Sequence, residues 1–168
     1  MMNMLLPLLC FMPMVMALIA YIAGRKSKTL RAIIVGGNGA VGKSAEGRLA
    51  SVGIKTVVRK AGANAIETSM AIAQMAVEEG MHANYMGVAT TNGYWDALTG
   101  GPLCGLRGGV LVLASQKNVS ATALPRALSS SIVHAYVLGG RGALDDGVFN
   151  AFAATTANKP KVNSALQL

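Results

Sequence analysis

Residues 36–44 read Gly36-Gly37-Asn38-Gly39-Ala40-Val41-Gly42-Lys43-Ser44 and carry the most suggestive chemistry in the chain. Gly37, four intervening residues and Gly42-Lys43-Ser44 satisfy the pattern of a phosphate-binding loop. In such loops backbone amides cradle phosphate, the lysine meets the β/γ charge and the hydroxyl holds magnesium. The same stretch also satisfies Gly-x-Gly-x-x-Gly through Gly37, Gly39 and Gly42. Arg59-Lys60 follow about twenty residues on, where a dinucleotide fold reads its ribose and a basic pair suits a 2′-phosphate. A nucleotide- or NADP-binding protein using residues 37–44 is therefore one functional alternative.

A second group is Thr91, Asn92, Trp95 and Asp96. Hydroxyl, amide and carboxylate groups suit hydrogen bonding to a hydroxyl-rich polymer, and Trp95 can stack on a sugar ring. The plainer readings are that Asn92 and Asp96 cap a helix and that Trp95 packs into a core or subunit interface. Arg59 and Lys60 suit phosphate or carboxylate groups, in a contact that salt would weaken, or are simply solvated. His82 and His134 have no Cys, Asp or Glu at ligand spacing and read as structural or surface residues. Cys104 reads as a small core residue. Ser129-Ser130-Ser131 has no histidine placed to activate it. No nucleophile–base pair or paired carboxylates emerge, so neither catalysis, metal nor cofactor is expected.

Positioning these residues requires a frame. Short apolar runs at 31–35, 55–59, 84–90, 110–114 and 133–138 predict strands buried on both faces. Helical stretches near 41–51, 65–79, 95–106, 121–129 and 145–154 alternate with them. Succession of this kind predicts an α/β fold: one parallel sheet with helices on both faces, a Rossmann- or flavodoxin-like three-layer sandwich. Right-handed crossovers then bring every strand-to-helix loop to one edge, where ligands of such folds sit. Thr91, Asn92, Trp95, Asp96, Arg59 and Lys60 all fall at that edge; the two histidines fall at the other.

An internal repeat bears on the glycine loop. Residues 32–41 recur at 135–144, an offset of 103, with five of ten positions identical. The shared element is Gly-Gly-x-Gly-Ala-apolar: Gly36, Gly37 and Gly39 in the first copy, Gly139, Gly140 and Gly142 in the second, with Arg141 at the variable position. It reads as a tight structural turn that lets a helix pack close to its strand. Gly42-Lys43-Ser44 becomes Asp145-Asp146-Gly147 in the second copy, and aspartate there would repel a nucleotide.

Between the copies, Arg59-Lys60-Ala61-Gly62-Ala63-Asn64-Ala65-Ile66-Glu67-Thr68-Ser69 resembles the Arg-x-x-Gly-x-(Asp/Asn)-Arg-(aromatic)-x-Thr-(Ala/Ser) signature of the type 2 cell-wall-binding repeat. Residues 94–103, from Tyr94-Trp95-Asp96-Ala97-Leu98 to Pro102-Leu103, resemble the family's (aromatic)-x-Asp-Ala-Leu segment. Val110-Leu111-Val112-Leu113 and Leu124-Pro125 resemble its next strand and helix start. Ala65 and Ile66 depart from the signature, which has arginine and an aromatic there. The resemblance implies the end of one repeat over 28–53 and a nearly complete one over 54–155. It further implies a non-catalytic adhesion module of the Gram-positive cell surface, holding anionic cell-wall polymer non-covalently and packing with neighbouring repeats or as a homotrimer. Arg59, Lys60, Thr91, Asn92, Trp95, Asp96 and Arg141 are the polymer-binding candidates.

Composition sets the remaining bounds. The 168 residues suit one ordinary domain, and 52% apolar content excludes a disordered chain. The formal net charge of +8 is concentrated: residues 25–60 hold nine basic side chains against Glu46. Without basic–aromatic interleaving, no nucleic-acid partner is expected. Residues 4–23 carry no charge, long enough to span a bilayer as a helix, and Arg25, Lys26 and Lys28 follow. A membrane anchor or atypical signal is expected over 1–24, and a loose tail over 156–168.

Overall fold

The computed structural model describes the backbone of residues 18–19 and the whole of residues 31–116 and 132–154. Its elements, in chain order, are β1 (Leu18–Ile19), β2 (Arg31–Val35), α1 (Ser44–Ser51), β3 (Thr56–Lys60), α2 (Ala65–Glu78), β4 (Tyr85–Thr90), α3 (Trp95–Leu106), β5 (Val110–Ala114), β6 (His134–Leu138) and α4 (Asp146–Ala153). The predicted strands and four of the predicted helices are present, most within one or two residues. The helix expected at 121–129 and the tail at 156–168 lie outside the described residues. So does most of the expected membrane segment; Leu18 and Ile19 within it pair as a two-residue strand antiparallel to β2. No described helix is long and apolar enough to cross a membrane.

The single sheet expected from sequence is divided in two. One sheet runs β1-β2-β3 and the other β5-β4-β6. β2–β3, β4–β5 and β4–β6 are all parallel, so the α/β character holds. At the outer edge of β5 it is α2, not a further strand, that meets the second sheet. There the Leu113 amide, which faces away from β4, donates to the buried Ser69 hydroxyl of α2 at 2.9 Å. The Ser69 hydroxyl in turn donates to Ile66 O at 2.7 Å. A helix side chain therefore satisfies part of the edge a further strand would occupy, and α2 sits between the sheets. Its Ile66, Ala73 and Ala76 join the main core with Met86, Val88 and Val112 of the second sheet. Its Ile72 and Met75 pack against Ile33 of β2. Ser69→Ala leaves a buried amide without an acceptor and should cost about 1–3 kcal/mol in urea denaturation, far more than a surface serine.

Small residues bring α3 close to its sheet. An ideal Cβ on Gly87 of β4 would lie 2.7 Å from Cys104 Sγ, and one on Gly100 would overlap Leu138 of β6. Cys104 is fully buried, and desolvation pushes its thiol up to about 12 from 9.0, partly offset by a backbone hydrogen bond from Gly87. The thiol is consequently neutral and inert at physiological pH. Because the folded-state value is raised, its contribution to stability is complete below pH 9 and is lost as pH rises toward 12. In a Cys10→Ser background, native protein should resist thiol-modifying reagents that react fully in denaturant.

Candidate functional site

The signature segment 59–69 builds the join between β3 and α2. Arg59 is four-fifths buried; its Nη1 donates to Gly36 O (2.7 Å) and Val41 O (2.9 Å), and its Nε to Glu46 (2.8 Å). The second terminal nitrogen, Nη2, is buried without a partner among the described residues. Asn64 caps α2 by accepting from the Glu67 amide at 2.9 Å, and Glu67 reaches back to accept from the Ala63 amide at 2.9 Å. The arrangement is a variant of the capping box in which the returning carboxylate takes the amide one residue before the cap and the Asn64 side-chain amide at 3.1 Å. Gly62 donates to Thr68 Oγ1 at 3.0 Å, and a side chain there would strike the Glu67–Thr68 backbone. Ile66, where the family pattern has an aromatic, packs in the core. Arg59 thus holds the first glycine turn from behind, and the sequence gives no direct sign of that long-range clasp.

The glycine turn itself explains why its two nucleotide patterns are unsupported. In the first copy the amides of Ala40 and Val41 donate to Gly37 O at 3.0 and 2.9 Å. In the second, Ala143 and Leu144 donate to Gly140 O at 2.9 and 3.1 Å. The same turn forms with Lys43-Ser44 or Asp145-Asp146 beyond it, so its geometry does not depend on a phosphate-binding ending. α1 consequently starts at Ser44, three residues later than its apolar pattern suggests. Of the six glycines expected to shape these turns, only Gly36 (φ 111°) and Gly139 (φ 104°) require glycine backbone geometry. Gly37, Gly39, Gly140 and Gly142 have open space where a Cβ would lie. At Gly139 a Cβ would sit 2.5 Å from Asp96 Oδ2 and 3.0 Å from Ala143 Cβ. Gly139→Ala should therefore destabilise by about 1–3 kcal/mol, whereas Gly140→Ala should be nearly neutral by thermal denaturation.

The exposed chemistry gathers at the carboxyl edge of the second sheet. Thr91 is tied to β5 through its amide, which donates to Ala114 O at 2.8 Å. The Asn92 amide donates to Thr90 Oγ1 at 3.0 Å and leaves the Asn92 side chain at the surface. Gly93, at φ 96°, turns the chain into α3. The helix is capped at Tyr94, with no side-chain cap, so neither Asn92 nor Asp96 performs the capping role open to them in sequence. Tyr94 and Trp95 lie ring to ring, with centroids 4.1 Å apart and planes tilted by 40°. Trp95 is 66% exposed, which answers the core alternative. Asp96 stands against Gly139, joining this loop to the second glycine turn. Arg141 is exposed on that turn and donates to Asp146 at 3.0 Å.

The structure thus brings Thr91, Asn92, Trp95, Asp96 and Arg141 to one edge and adds Tyr94, which sequence reasoning passed over. The signal for Tyr94 was its adjacency to a tryptophan at a helix start. Arg59 and Lys60 end a strand of the other sheet, and no described hydrogen bond or ion pair links them to the 91–96 loop. At the opposite edge His134 stacks on Tyr85, centroids 4.8 Å apart, a structural role. No group of three metal-ligating side chains occurs among the described residues.

Solved structures that share the fold include two proteins of Clostridium difficile. Cwp8 from Clostridium difficile superposes with a TM-score of 0.68 at 22% identity, over 81% of this chain and 22% of that one. Cwp6 from Clostridium difficile gives 0.65 at 20% identity, over 78% of this chain and 20% of that one. The present chain therefore spans about a fifth of the length of either. No curated protein matches by sequence. The pattern of the family described as Cell wall binding domain 2 (CWB2) matches residues 59–149, from the Arg59 clasp through Trp95 and Asp96 to the start of α4. With more than half of its length matched and the turn, signature loop and sheet all in place, the chain belongs to the Cell wall binding domain 2 family.

Proposed function

We propose that this chain is a non-catalytic module that attaches its protein non-covalently to anionic polymer of the cell wall, at the cell surface. The observation that carries the reading is the exposed Tyr94–Trp95 pair beside Asn92 and Asp96 on a rigid α/β frame. Aromatic faces of this kind suit the apolar face of a sugar, and the neighbouring amide and carboxylate suit its hydroxyls. The +8 charge, carried by residues 25–60, supplies attraction to an anionic polymer at longer range. Division of labour follows: the second sheet's edge reads the sugar, and the basic stretch, with Lys60 at the end of β3, draws the polymer in. Arg59 serves that surface indirectly, by holding its own glycine turn.

Co-sedimentation of the purified chain with isolated Gram-positive cell walls tests the reading. Binding is expected at low salt and should weaken several-fold by 0.5 M salt, as surface charge is screened. Walls stripped of anionic polymer should retain little. No sedimentation at low salt, or equal binding to stripped walls, would contradict it.

A further inference from the structure

β6 ends on the same glycine turn as β2, yet the two strands are placed differently. β2 lies between β1 and β3, whereas β6 lies at a sheet edge with β4 beside it. Hydrogen-bond direction identifies which side of β6 is uncovered. The Gly36 amide donates to Lys60 O at 2.9 Å, so the backbone groups of Ala32, Ile34 and Gly36 face β3. The His134 amide donates to Asn84 O at 2.8 Å, so His134, Tyr136 and Leu138 face β4. Ala135, Val137 and Gly139 face the other way. At the repeat offset of 103 these are the counterparts of Ala32, Ile34 and Gly36. The side of β6 that no described strand covers is therefore the side on which β2 carries β3.

Burial, acceptors and charge agree with that correspondence. Gly36 is buried beneath β3, while Gly139 is exposed; Ile34 is fully buried, while Val137 is half-buried. Gly36 O and Val41 O receive Arg59, while no described donor reaches their counterparts, Gly139 O and Leu144 O. The second turn is flanked by Asp96, Asp145 and Asp146, of which Asp146 is paired with Arg141, and β3 is basic, with Lys55 before it and Arg59-Lys60 at its end. β3 moreover opens one repeat while pairing with the strand that closes the repeat before it.

We infer that the outer edge of β6 is a docking edge for a parallel strand of the β3 type, supplied by a further repeat unit. Its arginine would lie opposite Val137, as Arg59 lies opposite Ile34, and its guanidinium would enter the turn between Gly139 O and Leu144 O. The occupant is an extended segment with the pattern Val-Val-Arg-Lys-Ala-Gly of residues 57–62. Docking of this kind joins successive repeats through a shared sheet and is separate from polymer recognition at the Trp95 edge.

A labelled peptide of residues 54–64, carrying a photoreactive group at Ala61, provides the test against the intact chain. Saturable binding is expected, with crosslinks on residues 135–144. N-methylation of the peptide at Val58 or Lys60, whose amides face the partner strand, should weaken binding at least tenfold. N-methylation at Val57 or Arg59 should leave it within twofold, while Arg59→Ala in the peptide should weaken it about tenfold. Absence of binding at millimolar peptide, equal sensitivity at both sets of amides, or crosslinks on residues 31–36 would each overturn the proposal. The last result would mean that the peptide displaces β3 from β2.

Discussion

Replacing Arg59 with alanine will lower the stability of the fold by about 2–4 kcal/mol, read as a shift in the urea midpoint. The guanidinium is only 17% exposed and makes three hydrogen bonds, to Gly36 O, Val41 O and Glu46. Removing it leaves two carbonyls of the glycine turn without that donor and opens a gap behind the turn. Lysine will not rescue the loss, because one ammonium cannot reproduce a planar fork that addresses a carboxylate and two carbonyls together. Glu46→Gln should cost less, about 1 kcal/mol or below, since that carboxylate is 42% exposed and its amide analogue still accepts from Nε. Wall binding measured per folded molecule should change less than twofold in Arg59→Ala. A variant of unaltered stability that lost wall binding would instead make Arg59 a polymer contact.

Trp95→Ala is expected to do the opposite. The side chain is mostly in water, so stability should move by about 0.5 kcal/mol or less. Affinity for solubilised wall polymer should fall about tenfold, the scale of one aromatic stacking contact in a largely desolvated complex. Tyr94→Ala should give a smaller loss, since its ring supports Trp95 at 4.1 Å while offering less surface of its own. Both effects should persist at salt concentrations that screen charge, because stacking does not depend on ion pairing.

The frame was largely legible in the sequence. β2, α3 and β5 have the bounds their apolar runs predict, because each combines a continuous aliphatic or small-residue face with glycine or polar punctuation. The division into two sheets was not legible. Nor was the Ser69 hydroxyl that meets the Leu113 amide across 44 residues, because periodicity records no such pairing. The first glycine turn misled by its ending: Lys43-Ser44 follows a turn that also forms before Asp145-Asp146. The internal repeat exposed that coincidence, and the hydrogen bonds to Gly37 O and Gly140 O give it a physical form. At the proposed binding edge, residue types pointed to Thr91, Asn92, Trp95 and Asp96, because hydroxyl, amide and carboxylate groups beside an indole in a strand-to-helix loop suit a hydroxyl-rich polymer. Arg59 was legible as basic but not as buried, because its partners lie 13 to 23 residues away.

Trp95 is the one tryptophan in the chain, so its fluorescence reports on the proposed binding edge without labelling. Titration of the intact chain with solubilised, purified wall polymer should shift the emission to shorter wavelength in a saturable manner. The same titration should protect the indole from acrylamide quenching several-fold, with a midpoint matching that from co-sedimentation. Polymer binding that saturates by sedimentation while the emission and quenching of Trp95 stay those of the unbound protein would contradict the account.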